Sequence, residues 1–378
     1  MTNSIPYLIF TAIIAVLYFG ELGRLKGVSK SVSINLAYLV ALIFIGLRGH
    51  VMTDYVNYVP TFSRIPNITS LSFKGFDALE PGFVLYTSLI KSLGFNYFGW
   101  VFINTLIDFV VLRWFFRRYS PSQVLPIIFF ITFSGLVIEF NLYRNSKAII
   151  LFLLSFPYLI DRKIIPYIII NLLALTFHNS AVIFIPLYFI LNLRIPIWMV
   201  WTMVISANVI FLCNIKIIGD IINNLTIIQQ LDGYDKLMAY AGGVKPASFS
   251  IGFFERLFAI IVFTVLRGKL IEKHKYYCAF YNSYLIYYLV YTIFYEVPVF
   301  INRFPVLFVY SYWILYPAII YLKYSLRRII NMAVSLLVAL KIFATCKQPD
   351  YAYENILWDD ISYSKSMIKT QRLLENSN

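Results

Sequence analysis

The residues that could do chemistry in this sequence are ionisable side chains at or near the ends of long apolar segments. Charged residues make up only 13% of the 378-residue chain. An arginine binds phosphate through its planar fork of donors, and a carboxylate or histidine can take a proton from a hydroxyl group. The pattern therefore favours a site that binds an anion and moves a proton. The candidates are Arg48, Asp54, Glu80, Arg144, Lys147, His178, Glu255, Arg256 and Arg303.

The composition predicts that lipid is the solvent for most of this chain. Hydrophobic residues reach 60%, whereas soluble domains average about 45–50% apolar and about 25% charged residues. The net charge of +14 comes from basic residues scattered between apolar runs, which is typical of cytoplasmic anchors and gives no indication of nucleic-acid binding. The three cysteines are isolated, so the sequence predicts neither a disulfide framework nor a metal site. It also has no nucleotide-binding fingerprint, and no cofactor is predicted.

The elements that must position the candidates are membrane-spanning helices. The alternation of apolar runs with basic loops predicts an all-α integral membrane protein with about 12 transmembrane helices. Two long loops, about 48–79 and 214–250, and the tail, about 346–378, are expected on the outer side. The apolar run from Phe83 to Leu93 has only about 11 residues where a span needs about 20, so it is predicted to be re-entrant or buried in protein. With no repeat or soluble segment, residues 1–378 form a single polytopic domain in this interpretation.

The segment after the second apolar run joins a carboxylate to aromatic residues. Asp54, Tyr58 and Phe62 are four residues apart, so a helix here would place them on one face. The alternative is a solvated loop, with Arg48 as an anchor at the membrane interface.

Simpler interpretations exist for the other candidates as well. His178 could be a satisfied polar residue at a helix end. Arg144 and Lys147 could cap a loop, although basic residues on the outer side oppose the usual charge bias. Glu255 and Arg256 could only neutralise their neighbours. A functional site is nevertheless the default hypothesis for ionisable groups within membrane depth.

Several short motifs, in this order, resemble the EpsG family of multispanning exopolysaccharide and O-antigen polymerases of the Wzy type. The resemblance extends roughly from Gly46 to Pro186, and Arg303 and the segment Tyr351–Asn355 look similar too. The chain departs from the family where Asn145 follows Arg144, because the family often has glutamine there. The motifs are Gly46-x-Arg48, Asp54-x-x-x-Tyr58, Glu80-Pro81-Gly82-Phe83, Tyr143-Arg144 and Phe177-His178-Asn179-Ser180-Ala181.

The resemblance implies a GT-C-like glycosyltransferase in the bacterial inner membrane, active at the periplasmic face. Its substrates would be undecaprenyl-diphosphate-linked oligosaccharide repeat units, and no nucleotide sugar would be needed. The growing chain would leave its lipid diphosphate and move to the non-reducing end of a new unit. Implied partners are membrane lipids and a chain-length regulator and flippase of the same pathway.

The resemblance also suggests roles for the candidates. Arg144 and Arg303, with Arg48 and Arg256, would hold the diphosphate. Asp54 or His178 would act on the acceptor hydroxyl, and Glu80 would brace an arginine. Further substrate contacts are expected from Tyr55, Tyr58, Tyr143, Lys147 and Glu255.

Other classes remain open from the residues alone. A lipid-linked oligosaccharide flippase or another transporter would favour polar residues at the bilayer midplane and an internal repeat. Here the ionisable residues cluster toward one side and no repeat is evident. An O-antigen ligase or an acyltransferase that uses His178 would also face outward, and the acyltransferase would need a route for its acyl donor from the cytoplasm.

Overall fold

The computed structural model describes residues 2–215, 250–295 and 304–375. It is all-helical as the sequence predicts, with 75% helix and no strand among those residues. Arg303 and nearly all of the predicted outer loop 214–250 lie outside the described residues. The chain forms two compact units, one of Met1–Tyr188 with Tyr316–Asn378 and the other of Phe189–Leu315. The organisation as one polytopic membrane domain stays a prediction.

The described residues form sixteen α-helices. They are α1 (Ile5–Glu21), α2 (Lys30–Gly46), α3 (Tyr55–Arg64), α4 (Pro81–Ser92), α5 (Tyr97–Tyr119), α6 (Leu125–Thr132), α7 (Gly135–Asn141), α8 (Tyr143–Ile160), α9 (Ile164–Leu175), α10 (Phe184–Ile190), α11 (Ile197–Leu212), α12 (Ile251–Lys273), α13 (Tyr277–Ile293), α14 (Tyr310–Tyr321), α15 (Arg327–Cys346) and α16 (Tyr363–Glu375).

Two of these helices, α5 and α15, are long and apolar enough to cross a membrane, and several shorter ones are strongly apolar. Large apolar side chains also remain on the outside of the protein, such as Val110, Ile165 and Ile169, each more than half exposed. Such a surface is unfavourable in water and is what lipid-facing helices require. The predicted number of spans and the re-entrant position of α4 stay predictions.

The predicted span from about Val124 to Phe140 is not one continuous helix. It consists of α6 and α7, which meet at Ser134 in a left-handed conformation with φ of 60°. Gly135 follows because the backbone folds back tightly there and a Cβ would collide with the Phe130 side chain and carbonyl. A hydropathy pattern does not indicate such a break, since both helices are apolar and buried.

Helix directions in the first unit bring several candidate segments to one end. Trp100 near the start of α5 lies 4.9 Å from Tyr143 at the start of α8, measured between ring centroids. Tyr119 at the end of α5 lies 5.4 Å from Phe156 near the end of α8. Helices α5 and α8 are therefore parallel, and α8 and α9 form an antiparallel pair. The starts of α5 and α8 and the end of α9 lie together.

The C-terminal segment binds to the chain directly after α2. The Gly49 amide donates to the Glu354 carbonyl (2.8 Å), and the Ile356 amide donates to the Leu47 carbonyl (2.9 Å). Arg48 and Asn355 form an isolated antiparallel bridge. Helix α16 then extends over the same segment, because the Tyr55 hydroxyl donates to the Ser366 carbonyl (2.6 Å). The two predicted outer segments 48–79 and 346–378 therefore lie on the same side of the first unit.

Candidate functional site

Helix α3 forms within the predicted outer loop and carries the spacing noted in the sequence. Tyr58 and Phe62 pack on an aromatic cluster that contains Phe83 and Trp100. Asp54 stands at the start of this helix, where its amide and that of Thr53 bond to the Asn141 side chain at 3.1 and 3.2 Å. The helical interpretation of the four-residue spacing is thus confirmed, because burial of one aromatic face stabilises α3.

The motif Glu80-Pro81-Gly82-Phe83 begins α4 and attaches it to the end of α9. The amides of Gly82 and Phe83 donate to the Thr176 carbonyl at 2.8 and 3.2 Å. Any Cβ on Gly82 would lie 2.8 Å from that carbonyl oxygen, so only glycine allows this approach. Pro81 needs no hydrogen-bond partner at the first helical position. The motif therefore fixes Glu80 next to the segment that follows α9.

An ion pair and a histidine form the centre of the candidate site. Arg144 Nη1 lies 2.7 Å from Glu80 Oε2, and the other carboxylate oxygen, Oε1, accepts the Asn179 amide at 3.2 Å. His178 Nδ1 lies 3.7 Å from Glu80 Oε1. The Glu80 side chain is only 7% exposed, whereas those of Arg144 and His178 are 28% and 23% exposed. Glu80 therefore holds the Arg144 side chain from within, and His178 lies beside this pair.

The orientation of His178 follows from its hydrogen bond to the next turn. Its Nδ1 accepts the Ser180 amide at 3.1 Å, so this nitrogen carries no hydrogen and the neutral ring has its hydrogen on Nε2. Ser180 in turn donates its hydroxyl to Asn145 Oδ1 at 2.9 Å. The histidine is thereby set as a hydrogen-bond donor at Nε2, and Asn145, which follows Arg144, is bonded to the same turn.

Tyr58 connects Asp54 to this centre. Burial raises the pKa of the Tyr58 hydroxyl to about 12, opposed by the charge of Arg144 and a hydrogen bond with it, while the charge of Asp54 adds to the rise. Tyr58 therefore stays protonated at neutral pH and can donate a hydrogen bond. Its ring meets the Tyr143 ring edge-on, with 4.7 Å between centroids.

Arg48, Tyr55 and Tyr143 are buried and bonded to other parts of the protein. The Arg48 guanidinium donates to the Ile45 and Glu139 carbonyls and to the Tyr143 hydroxyl. Tyr55 stacks on His50 with 4.7 Å between ring centroids. Through these contacts and the bond of Tyr55 to Ser366, the three side chains join α2, α8 and the C-terminal segment.

Lys147 lies deeper, in a charged cluster that the sequence reasoning missed. Its Nζ is 2.5 Å from Asp108 Oδ1 and 2.9 Å from the Asn104 carbonyl, and the Lys147 and Asp108 side chains are 5% and 1% exposed. Glu139 is also buried and accepts the Thr105 hydroxyl at 3.2 Å. A carboxylate inside an apolar run is itself a signal, so Asp108 and Glu139 were recognisable in the sequence as unusual residues.

Glu255 and Arg256 belong to the second unit, where tyrosines surround them. Glu255 Oε1 accepts the Tyr312 hydroxyl at 2.7 Å. Arg256 donates from Nε to the Tyr287 hydroxyl (2.9 Å), and its guanidinium lies 3.7 Å from the Tyr291 ring centroid. These contacts form a second candidate group for binding an anion or a sugar.

Together, the apolar helices and the cluster of Arg144, Glu80 and His178 define a class, namely all-helical membrane proteins with a charged polar cluster at one end of their helices. A model of the EpsG family matches residues 31–355. The chain therefore belongs to the EpsG family and is a membrane protein of the polysaccharide-polymerase type. The match includes the segments that form the site and ends at Asn355, before α16. No curated protein and no solved structure matches the chain.

Proposed function

We propose that this protein polymerises undecaprenyl-diphosphate-linked oligosaccharide repeat units at the periplasmic face of the bacterial inner membrane. The observation that carries the proposal is the partly exposed guanidinium of Arg144, held by buried Glu80 next to His178. A guanidinium braced in this way binds phosphate oxygens with little loss of side-chain freedom.

Arg144 has capacity for an anion. Its Nη1 is engaged by Glu80, but its buried Nε has no hydrogen-bond partner among the described residues. A buried donor without an acceptor is costly, and an oxygen of the lipid diphosphate would satisfy it. Arg144 would then stabilise the negative charge that develops as the diphosphate leaves.

The proton transfer falls to Asp54 in this proposal. The acceptor hydroxyl attacks the anomeric carbon of the growing chain, and Asp54 takes its proton. The bond from that carbon to the diphosphate oxygen breaks, and the electron pair leaves with the diphosphate. His178 donates from Nε2 to the departing group, because its Nδ1 is occupied as an acceptor by the Ser180 amide.

The remaining candidates complete the proposed site. Tyr58 would offer a ring face or a hydroxyl to a sugar. Four buried residues would support the structure of the site, namely Arg48, Tyr55, Tyr143 and Lys147. Further contacts to the substrate would come from Glu255, Arg256 and Arg303. A GT-C-like arrangement and a chain-length regulator and flippase as partners are part of the same proposal.

The test is the surface polysaccharide of a strain that lacks this chain, separated on a gel beside the wild type. A polymerase defect leaves the lipid-A core with a single repeat unit and no ladder, or only single units where the product is an exopolysaccharide. Absence of any repeat unit would indicate flipping, ligation or an earlier step instead. Full-length polymer that does not reach lipid A would indicate a ligase.

Complementation connects the result to the site. Arg144→Ala, Asp54→Asn and His178→Ala should each fail to restore the ladder when compared with the wild type at equal membrane levels of protein. Arg64→Ala is the matched control, since Arg64 is an exposed basic residue of α3 whose guanidinium lies over the Phe76 ring. A ladder of normal length from both Arg144→Ala and His178→Ala would overturn the assignment of the site.

A further inference from the structure

A cavity of about 800 Å³ lies in the second unit, and none of the residues that line it is assigned to the proposed reaction. It is formed by the segment before α11, the start of α11 and the last turns of α12. Three basic side chains and one acidic side chain, Arg194, Arg267, Lys275 and Glu272, line it together with apolar residues. By charge, the cavity is complementary to an anion.

Arg267 is the buried member of this group. It is 8% exposed, it donates from Nη1 to the Ile195 carbonyl at 2.7 Å, and its guanidinium lies 4.8 Å from the Tyr281 ring centroid. Its buried Nε has no hydrogen-bond partner among the described residues. A charged donor left unsatisfied in this position is unfavourable, and an anionic oxygen in the cavity would supply the missing acceptor.

The walls of the cavity are apolar and continue onto the outer surface of the unit. Ile197 is 49% exposed and Val265 is 67% exposed, and both line the cavity. Arg194 and Lys275 stand at its exposed margin. A ligand with an anionic head and a hydrocarbon tail therefore fits better than a small free anion, because only the former would cover the apolar wall.

Gly268 keeps the cavity open. It lies inside α12, where glycine is less favourable than alanine, and a Cβ there would meet no atom within 4 Å. No close approach of neighbouring backbone requires a glycine at this position. A side chain added to Gly268 would enter the cavity without disturbing the packing of the protein.

We propose that this cavity binds an anionic phospholipid, with its phosphate at Arg267, Arg194 and Lys275 and an acyl chain along Ile197 and Val265. Basic pockets between membrane helices on the cytoplasmic side bind anionic headgroups in this way, and the basic loops next to this cavity are predicted to be cytoplasmic. This inference does not depend on the proposed polymerase activity.

The experiment titrates short-chain phosphatidylglycerol into the full-length protein in detergent and measures the rise in melting temperature. Phosphatidylcholine of the same chain length and inorganic phosphate are titrated in parallel. We expect a saturable rise with phosphatidylglycerol alone. Lys275→Gln and Arg194→Gln each remove one cation at the margin of the cavity. Each should raise the phosphatidylglycerol concentration at the midpoint of the titration about fivefold, the equivalent of about 1 kcal/mol per basic residue.

Two further variants make the test specific. Gly268→Leu should fold normally and show no response to phosphatidylglycerol, since its side chain would occupy the cavity. Lys269→Gln removes an exposed charge from the adjacent residue, which does not line the cavity, and should bind as the wild type does. The proposal would be overturned if phosphatidylcholine or inorganic phosphate raised the melting temperature as much as phosphatidylglycerol does. It would also be overturned if Gly268→Leu responded to phosphatidylglycerol as the wild type does, or if Lys275→Gln and Lys269→Gln responded equally.

Discussion

At the scale of single residues, the first unit contains two ion pairs that differ in their exposure to solvent. Glu80 and Arg144 meet where the arginine is still 28% exposed, whereas Asp108 and Lys147 are 1% and 5% exposed. Breaking a buried pair by removing one partner is strongly destabilising, since it leaves an uncompensated charge. The exposed pair is suited to ligand binding and the buried one to structure.

Arg144→Ala should abolish polymer and also destabilise the protein, because buried Glu80 loses its charge partner. The double variant Arg144→Ala/Glu80→Gln removes that charge and should recover most of the lost stability, on the order of 1–3 kcal/mol, without recovering polymer. Thermal unfolding in detergent and the polysaccharide ladder measure the two effects. A ladder restored in the double variant would show that Arg144 serves only to neutralise Glu80.

Lys147→Met should lower stability by about 3–5 kcal/mol, because Asp108 would be left buried and unpaired. Lys147→Met/Asp108→Asn should recover both protein levels and polymer if Lys147 acts only through this pair. Protein abundance in membranes and the ladder are the measurements. Normal abundance of the double variant without polymer would instead support the direct substrate contact predicted from the sequence.

At the scale of elements, the site depends on helix ends that meet. The start of α4 is bonded to the Thr176 carbonyl after α9, and His178 begins the short 3₁₀ segment Asn179–Ile183. The start of α8 presents Arg144 to Glu80. A small shift of α4 would therefore separate Glu80 from both of its partners.

Gly82→Ala should move α4 away from Thr176, since its Cβ would lie 2.8 Å from the Thr176 carbonyl oxygen. We expect a loss of about 1–3 kcal/mol from overpacking and a large loss of polymer from displacement of Glu80. Gly268→Ala, where a Cβ meets no atom within 4 Å, is the matched control for thermal unfolding. Equal stability of the two variants would contradict the close approach of Gly82 to the Thr176 carbonyl.

Two truncations separate the roles of the C-terminal elements. Ending the chain after Asp360 removes α16 but keeps the bonds of Glu354 and Ile356 to the segment after α2. Ending it after Gln348 removes both. The first variant should accumulate with a lower melting temperature, whereas the second should not accumulate, because the amides of Gly49 and Met52 lose their acceptors. Equal membrane levels of the two truncated variants would contradict the prediction that only the first one accumulates.

At the scale of the whole molecule, the hydrogen bonds of the first unit group its segments in the same way as the sidedness predicted from the basic residues. The bonds between residues 47–52 and 350–356 place the predicted outer loop and the tail together. At the other end, Glu21 accepts hydrogen bonds from Ser122, Gln123 and Val124. That end also carries the basic residues predicted to be cytoplasmic, which follow α1 and end α5.

Single cysteines at Ser70 and Ser364 should therefore react with a membrane-impermeant maleimide added outside intact inner-membrane spheroplasts. Cysteines at Lys26 and Lys163 should react only after permeabilisation. The background is a variant with Cys213, Cys278 and Cys346 replaced by serine. If only one of the cysteines at Ser70 and Ser364 reacted before permeabilisation, the contacts between the tail and the segment after α2 would be contradicted.

Several local features of the fold and site were predictable from neighbouring residues. The spacing of Asp54, Tyr58 and Phe62 predicts α3, and proline after Glu80 predicts the start of α4. In contrast, the buried partner of Lys147 and the position of Arg48 depend on side chains that are distant in sequence. Arg303 and most of loop 214–250, which the sequence also singled out, lie outside the described residues.

The sequence by itself determined the all-helical membrane class and the family, because apolar content, periodic helix signals and ordered motifs are properties of the chain alone. Only the tertiary structure decided which charged residues meet. Hydropathy and spacing locate a charge along a helix, but its partner is chosen by the direction and packing of other helices. That packing pairs Arg144 with Glu80 beside His178, and it buries Lys147 against Asp108.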